Sequence, residues 1–371
     1  MYLNCHSFYS LRYGTIPLEE LVNLAVKQGV KALALTDINT ITGIYDFKKA
    51  CDQAGIQAVV GVECRANNQL KFIALAQNTT GLTEINRFIT HCNLNNIEIP
   101  DSAPDFKNVF VIYPLENQPE TLRDFEFLGF KPSQISQCYK YDRGFLSSRA
   151  VVLQPVTFRN KTEYELHCIL RAIDLNTLRS KLQPQDHAHF SEQLVQPARL
   201  ERYFADYPEL VANTYKILSA CRFEFEFRTP KNKQNFTGSK ESDAQLLRKL
   251  AYEGLEKRYG AKHEAAQARV EKELKVIDEL NFNGYFLITW DIVQFSNSRG
   301  FLHIGRGSGA NSIVSYCLGI TDICPIELDL YFERFLNLNR KTPPDFDIDW
   351  SWKERDTILE YIFEKYGPNH V

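Results

Sequence analysis

The chain has 371 residues, which is long enough for two or three domains that each bury a core. Hydrophobic residues make up 44% and charged residues 24%, and no apolar run is long enough to span a membrane, so the composition excludes a membrane-spanning or disordered chain. The net charge of −3 excludes a generally basic surface, so any contact with nucleic acid must come from local patches.

The first two hundred residues alternate between helix and strand patterns. Helices are predicted over 17–29, 39–55 and 81–93, and short apolar strands over 31–36, 58–62 and 71–76. Polar residues follow two of the strands, with Asp37 after the first and Glu63 after the second. Repeated strand–helix units with polar side chains at the carboxyl ends of strands predict an α/β, barrel-like domain with a site at that face.

The pattern changes between about residue 195 and Gly260. The predicted elements are a helical stretch over 200–220, an alternating strand over 223–227, an exposed basic connector over 230–238, and two long helices over 242–259 and 261–280. The alternation of Lys and Glu on the long helices predicts a solvent-facing side with i,i+4 ion pairs, made of Glu264, Glu271, Lys272, Glu273 and Lys275.

A glycine-rich segment at 305–309 leads through Ser312 into an apolar helical run over 313–318. Glycines let the backbone approach an anion closely, and the N–H groups of a helix N-terminus favour negative charge. Ser308 adds a hydroxyl donor, and Arg306 adds a planar, permanently charged fork that suits phosphate. Because most such loops are tight turns without a ligand, the segment predicts a triphosphate site only together with a neighbouring metal site.

Three carboxylates alternate with three apolar side chains in a strand pattern further downstream, at Asp345, Phe346, Asp347, Ile348, Asp349 and Trp350. Successive side chains of a strand point to opposite faces, so the carboxylates are predicted to share one face and the apolar residues to enter a core. Neighbouring carboxylates repel unless cations neutralise them, and a pair of divalent metal ions does so in phosphoryl-transfer sites. Hard oxygen ligands favour Mg²⁺ or Mn²⁺. A solvated edge strand is the alternative that this segment alone leaves open.

Five linked segments carry a family resemblance: 285–291 (YFLITWD), 305–312 (GRGSGANS), 318–323 (LGITDI), 332–337 (FERFLN) and 344–349 (PDFDID). In order and spacing they resemble the C-family bacterial DNA polymerases, which are the α subunits of DNA polymerase III and their error-prone relatives. The resemblance continues to the last residue and extends, more weakly, back to Met1. It implies a DNA-directed DNA polymerase whose palm has the nucleotidyltransferase fold of DNA polymerase beta, preceded by a PHP domain.

The resemblance also implies roles for single residues. Asp347 and Asp349 match catalytic aspartates that bind two Mg²⁺ ions, and the loop that holds the incoming dNTP is matched by Arg306, Gly307, Ser308 and Gly309. The third aspartate and the fingers of that family lie beyond residue 371, so we expect an N-terminal fragment that is inactive alone. The expected domains are a PHP domain at 1–195, a connector at 196–240 and the first part of the palm at 241–371. Expected partners are primer–template DNA, dNTP and, in the full protein, a sliding clamp and other replisome subunits.

The predicted PHP domain matches only part of the family's metal site. His6, Asp37 and Glu63 match ligands, and His167 lies at a helical position further along. The positions that differ from the family's ligands are Asn4, Ile38, Pro155 and Thr157. Because hard metal sites depend on ligand number and charge, we expect a degenerate site without metal. The alternatives are a metal-dependent 3′–5′ exonuclease or phosphoesterase at these residues, and a non-catalytic module that docks a replisome partner.

Cysteine usage and the N-terminus bear on the cellular compartment. The nine cysteines include no Cys-x-x-Cys pair, and several lie in apolar runs, as reduced and buried thiols do. The first residues lack the basic start and apolar stretch of a signal peptide. Both observations predict a cytoplasmic protein.

Overall fold

The structure is a computed structural model that describes residues 1–222, 224–225, 235–260, 262–339 and 343–367. It consists of two compact units, Met1–Phe227 and Arg228–Val371. Most of the predicted strand at 223–227 and of the basic connector at 230–238 lies outside the described residues. Within the described ranges, no helix combines the length and the apolar character needed to cross a membrane.

The first unit is built on a curled, mixed sheet. Its strands are β1 (Asn4–Cys5), β2 (Ala32–Leu35), β3 (Gln57–Ala66), β4 (Gln69–Ala76), β5 (Val109–Pro114), β6 (Glu126–Phe130), β7 (Ala150–Val152) and β8 (Pro155–Val156). Strands β2 to β7 lie side by side in chain order, with β4 antiparallel to both neighbours and the other pairs parallel. Strand β1 pairs in parallel with β8, and a bridge from Tyr2 to Leu33 brings β1 beside β2.

Helices cover both faces of this sheet. They are α1 (Leu18–Lys27), α2 (Ile44–Ala54), α3 (Thr79–Leu94), α4 (Arg143–Arg149), α5 (Lys161–Asp174), α6 (Pro197–Tyr203) and α7 (Pro208–Ala220). Because side chains alternate along a strand, Leu33 and Leu35 pack into the core that α1 and α2 cover, whereas Ala34 packs into the core that contains Ile217 and Leu218 of α7. Burial on both faces explains the continuous apolar runs of the central strands.

The α/β class is confirmed, but two boundaries differ from the predictions. Strand β3 does not end at Glu63 but continues to Ala66, because Asn67 and Asn68 both adopt positive φ and form a two-residue hairpin turn into β4. The sheet is therefore a mixed half-barrel and not a regular series of strand–helix units. The helical stretch predicted over 200–220 is divided into α6 and α7, because Pro208 cannot lie inside a helix and occupies the first turn of α7 instead.

Helices α6 and α7 belong to the first compact unit. Leu200, Phe204 and Leu210 are fully buried in the same core as the sheet, and Ile217 is buried on its other face. The unit therefore extends past the limit predicted at residue 195, as far as Phe227.

The second unit consists of helices around a small two-stranded sheet. Its elements are α8 (Lys240–Tyr259), α9 (Glu264–Glu279), α10 (Asn283–Ser298), β9 (His303–Arg306), α11 (Ile313–Cys317), β10 (Asp347–Trp350) and α12 (Arg355–Tyr366). Its core is formed by buried side chains of the helices together with Phe335 and Leu336. Strands β9 and β10 are antiparallel, so the end of β9 lies beside the start of β10. This pairing brings the two predicted site segments together.

Candidate functional site

The carboxylate strand β10 begins at Asp347, which lies opposite Arg306 of β9. Asp347 and Asp349 are about half exposed, at 44% and 56%. Phe346, Ile348 and Trp350 pack against the core of the second unit, so the predicted division between a carboxylate face and an apolar face is confirmed. Asp345 is exposed and precedes the strand.

Two contacts fix the position of β10. The indole N–H of Trp350 donates a hydrogen bond of 2.6 Å to the hydroxyl of Ser296 on α10. The ring of Phe346 packs edge-to-face on Phe286, with 5.1 Å between the ring centroids. The apolar side of the strand is therefore anchored to α10, which leaves the carboxylates on the accessible side.

Arg306 lies between the two carboxylates. Its Nε donates to Asp349 Oδ2 at 2.7 Å, and its Nη1 is 3.5 Å from Asp347 Oδ2. The hydrogen bond to Asp349 and the charges of both carboxylates raise the pKa of Arg306, which is therefore a permanent cation at this position. The side chain is 57% exposed, so solvent screens the pairs and the fork remains accessible.

The glycine-rich loop lies directly against the carboxylate strand. Gly307 has φ +72°, and a Cβ atom at this position would lie 2.6 Å from Asp347 Oδ2. A Cβ at Gly309 would lie 2.9 Å from the ring of Phe346. A larger residue at Gly307 would displace the carboxylate of Asp347, and one at Gly309 would press on the ring of Phe346, so glycine allows the close approach at both positions.

The backbone of the loop differs from the prediction in one respect. Residues Gly307–Asn311 form a 3-10 turn, and α11 starts only afterwards, at Ile313. The hydroxyl of Ser312 caps that helix by accepting from the N–H of Ser315. Ser308 is half-buried within the turn. The N–H groups closest to the carboxylates therefore belong to the 3-10 turn and not to the first turn of the helix.

The structure contradicts the prediction for Glu273. This residue is completely buried, whereas the Lys/Glu pattern predicted that it faces solvent. Its Oε2 accepts from the hydroxyl of Ser312 at 2.7 Å and from the N–H of Val314 at 3.2 Å. Burial raises the pKa of Glu273, and the hydrogen bonds from Ser312 and the α11 backbone oppose this shift. The other members of the predicted face fit it better, since Glu271 and Lys272 form exposed ion pairs with Arg248 and Glu333.

In the first unit, His6, Asp37 and Glu63 form a buried cluster. His6 Nε2 lies 3.0 Å from Glu63 Oε2, and the Nδ1 of the same ring lies 3.0 Å from the hydroxyl of Thr157. Asn4 donates to Glu63 Oε2 at 2.7 Å. Asn4 and Thr157, two of the positions at which the resemblance led us to expect ligands, thus hydrogen-bond to Glu63 and His6.

Protein donors occupy the oxygens of Asp37. The backbone N–H and the hydroxyl of Ser7 donate to its two oxygens, each at 2.7 Å, and the hydroxyl of Ser10 donates at 2.6 Å. Burial raises the pKa of Asp37, and these three hydrogen bonds oppose the shift. The carboxyl is thus fully satisfied within the chain.

A second cation lies beside Glu63. Arg65 Nε donates to Glu63 Oε1 at 2.6 Å, and the guanidinium lies 4.4 Å from the centre of the Tyr13 ring. Burial opposes ionisation of Glu63, but the charges of Arg65 and His6 and their hydrogen bonds outweigh it and hold its pKa well below the usual range. Arg65 was not predicted to take part, although it follows Glu63 by two residues and shares its face of β3.

His167, which the sequence places far from the other ligands, borders the same cluster. The Tyr13 ring contacts both histidine rings edge-on, at 5.4 Å from His6 and 4.6 Å from His167. His167 Nδ1 is 2.6 Å from the carbonyl oxygen of Tyr13, and the N–H of Ala188 donates to Nε2 at 2.8 Å. Burial lowers the pKa of His167 to about 4. Among the described residues, no group of three or more His, Cys, Asp or Glu side chains is arranged to hold a metal ion.

Two family models match the chain in sequence. The PHP domain model matches residues 3–118, and the model described as the bacterial DNA polymerase III alpha NTPase domain matches residues 245–371. The first match covers most of the curled sheet, and the second covers β9, the glycine-rich loop and β10. The predicted order of a PHP domain followed by a nucleotidyltransferase-type polymerase domain is therefore confirmed.

Curated relatives match along almost the whole chain. An error-prone DNA polymerase from Symbiobacterium thermophilum is 29% identical over 100% of this chain and 39% of its own length. A DNA polymerase III subunit alpha from Ureaplasma parvum is 31% identical over 100% of this chain and 36% of its own length. An error-prone DNA polymerase from Mesorhizobium japonicum is 30% identical over 98% of this chain and 35% of its own length.

This chain thus spans between 35% and 39% of the length of these three relatives. The PHP domain model matches the first unit and the polymerase model matches the second, and two of the relatives match 100% of the chain. The chain belongs to the family of bacterial DNA polymerase III α subunits and error-prone DNA polymerases.

Proposed function

We propose that this chain supplies part of the catalytic centre of a DNA-directed DNA polymerase, which adds dNMP units to a primer 3′-OH as a template directs. One observation carries the proposal: Asp347 and Asp349 share the accessible side of β10, and Gly307 brings the glycine-rich loop into contact with Asp347. Carboxylates next to a glycine-rich loop are suited to phosphoryl transfer from a triphosphate. The names of the relatives, all DNA polymerases, support the same reaction.

The residues present fit divalent metal ions in this site. Asp347 and Asp349 offer half-exposed, hard oxygen ligands, and they are the residues that we propose would hold two Mg²⁺ ions. When bound, the metal would stabilise negative charge on the phosphates and lower the pKa of the attacking hydroxyl. The packing of Phe346 and Trp350 holds the backbone of β10 in place and keeps Asp347 and Asp349 on its accessible side.

The loop would bind the triphosphate of the incoming dNTP. The backbone N–H groups of 307–309 and the hydroxyl of Ser308 are neutral donors, and Arg306 adds a permanent positive charge at the edge of the site. Together these groups compensate the charge of the triphosphate at a place that glycine leaves open. The substrates that we propose are therefore dNTP and primer–template DNA.

For the PHP domain we propose a structural role without a metal ion. The remaining ligands do not fit a metal, because the oxygens of Asp37 and Glu63 already accept hydrogen bonds from Ser7, Ser10, Asn4 and Arg65. A metal would have to displace these donors and the buried cation of Arg65.

Two further proposals concern the whole polymerase. We propose a sliding clamp and other replisome subunits as its partners, as the resemblance to the C-family polymerases implies. We also propose a cytoplasmic location, because all nine cysteines are free and buried, as expected in a reducing compartment.

The proposed polymerase function is tested by primer extension with a polymerase that contains this chain. Asp349→Asn keeps the size of the side chain but removes a charge, and we expect the extension rate to fall at least about a thousandfold. Asp345→Asn is the matched control, because Asp345 is exposed and precedes the strand, and we expect a change of less than about fivefold. Extension at near-parental rates by Asp349→Asn would show that β10 is not the catalytic strand.

A further inference from the structure

A buried carboxylate contacts the residues that follow the glycine-rich loop. Glu273 of α9 is completely buried, and its Oε2 accepts from the hydroxyl of Ser312 and from the N–H of Val314. Both donors lie where the loop enters α11. A single carboxylate therefore holds the end of the loop and the start of the helix together.

Arg269, one helical turn before Glu273, extends this contact. Its Nε donates to Glu273 Oε1 at 3.1 Å. Its Nη2 donates to the carbonyl oxygens of Asn311 at 2.9 Å and Leu330 at 2.5 Å. Asn311 is the last residue of the 3-10 turn, so the guanidinium binds the loop directly.

The other end of the loop is held by the sheet. Arg306 directly precedes the 3-10 turn and is paired with Asp347 in the register of β9 and β10. The 3-10 turn is therefore fixed at its start by β10 and at its end by the Arg269–Glu273 pair. A five-residue turn that is held at both ends has few alternative conformations, so its N–H groups keep one direction.

An ion pair with a fully buried carboxylate is an expensive way to stabilise a helix end. Desolvation of Glu273 offsets part of its attraction to Arg269, which is 22% exposed, and an uncharged cap would stabilise α11 at lower cost. Ser312 already supplies that cap through its bond with Ser315. What the ion pair adds is a defined position of the loop relative to α9, through a carboxylate and a guanidinium whose hydrogen-bonding geometry is directional.

We propose that Arg269 and Glu273 are positioning residues that aim the N–H groups of the 307–311 turn at the triphosphate of the incoming nucleotide. The inference rests on the proposed function of the loop, and it concerns residues that do not touch the nucleotide. In this respect Arg269 and Glu273 differ from Ser308 and Arg306, which belong to the proposed binding surface for the triphosphate.

The test compares two variants of the same helix in a purified polymerase that contains this chain. Glu273→Gln keeps the shape of the side chain, removes the charge and turns an NH₂ group towards donors. Glu271→Gln is the matched control, because Glu271 is 45% exposed and pairs with Arg248, away from the loop. For Glu273→Gln we expect amide hydrogen exchange of residues 307–314 to rise about tenfold or more, with no change in α8, and the Kd for Mg·dATP to rise about tenfold.

Arg269→Lys serves as a second variant if Glu273→Gln folds poorly. Lysine keeps the charge but cannot bridge the two carbonyl groups, so the same loop-specific exchange is expected. A general loss of stability would instead raise exchange throughout the second unit, and this would overturn the positioning role. Equal loop exchange and equal Kd in Glu273→Gln and Glu271→Gln would also overturn it. Failure of the unaltered polymerase to bind Mg·dATP would overturn the proposed function of the loop, whatever the exchange rates show.

Discussion

Gly307→Ala tests the contact between the loop and the carboxylate strand. An alanine at φ +72° costs about 1 kcal/mol in backbone strain. Its Cβ would lie 2.6 Å from Asp347 Oδ2, whereas ordinary contacts begin at 3.4 Å, so the carboxylate or the loop must move by the difference, about 0.8 Å. A displacement of this size in a reacting centre costs about a hundredfold in rate. We therefore expect primer extension to fall about a hundredfold while the free energy of unfolding falls by only about 1–2 kcal/mol.

Gly300→Ala is the matched control. Gly300 has φ +73°, almost the same backbone strain, but no atom lies within 4 Å of the position of its Cβ. Extension rates are measured in a polymerase that contains this chain, and stability by thermal unfolding of the chain itself. The two variants should lose similar stability, and only Gly307→Ala should lose activity. Equal extension rates for the two variants would refute the reasoning, because strain alone would then account for the effect of Gly307→Ala.

Three further predictions concern the first unit. His167 has a folded-state pKa of about 4 and an ordinary pKa of about 6.5, so the unfolded chain binds the proton first and stability is lost as pH falls from about 6.5 to 4. We expect urea unfolding to show a loss of about 3 kcal/mol in the free energy of unfolding over this pH range, and a His167→Gln variant with the same pH dependence as the parent would contradict the assignment. Arg65→Met should destabilise the unit by about 3 kcal/mol, because it leaves the buried Glu63 carboxylate without the Arg65 cation, and adding Glu63→Gln should restore part of this stability. If Glu63→Gln restores none of it, Arg65 stabilises the unit through its packing on Tyr13 instead. Elemental analysis of the purified chain after dialysis against Zn²⁺ or Mn²⁺ should find less than about 0.1 equivalent of metal, and a stoichiometric ion that Asp37→Asn removes would overturn the metal-free proposal.

Local sequence patterns were sufficient to predict features that depend on a single strand or loop. The alternation at 346–350 predicted which side chains enter the core, because a strand has a period of two and both faces can be read from it. The glycines at 307 and 309 predicted a close approach of the backbone to an anion, which stays a prediction, and in the structure they lie against Asp347 and Phe346. Glu63 and Arg65 share a face of β3, so their pairing could also have been predicted had the strand been extended to the Asn67–Asn68 turn.

Only the tertiary structure decided the rest. Glu271 and Glu273 belong to the same Lys/Glu pattern, yet Glu271 is exposed and Glu273 is fully buried. Of these two residues, only Glu273 lies on the side of α9 that faces the loop. Charge patterns cannot make this distinction, because burial of a carboxylate depends on donors such as Ser312 that lie far along the chain. His167 and Tyr13 are likewise separated by 154 residues and meet because α5 packs against the segment that follows β1. Contacts of this range depend on how whole elements pack, and the period of a single element contains no information about its neighbours.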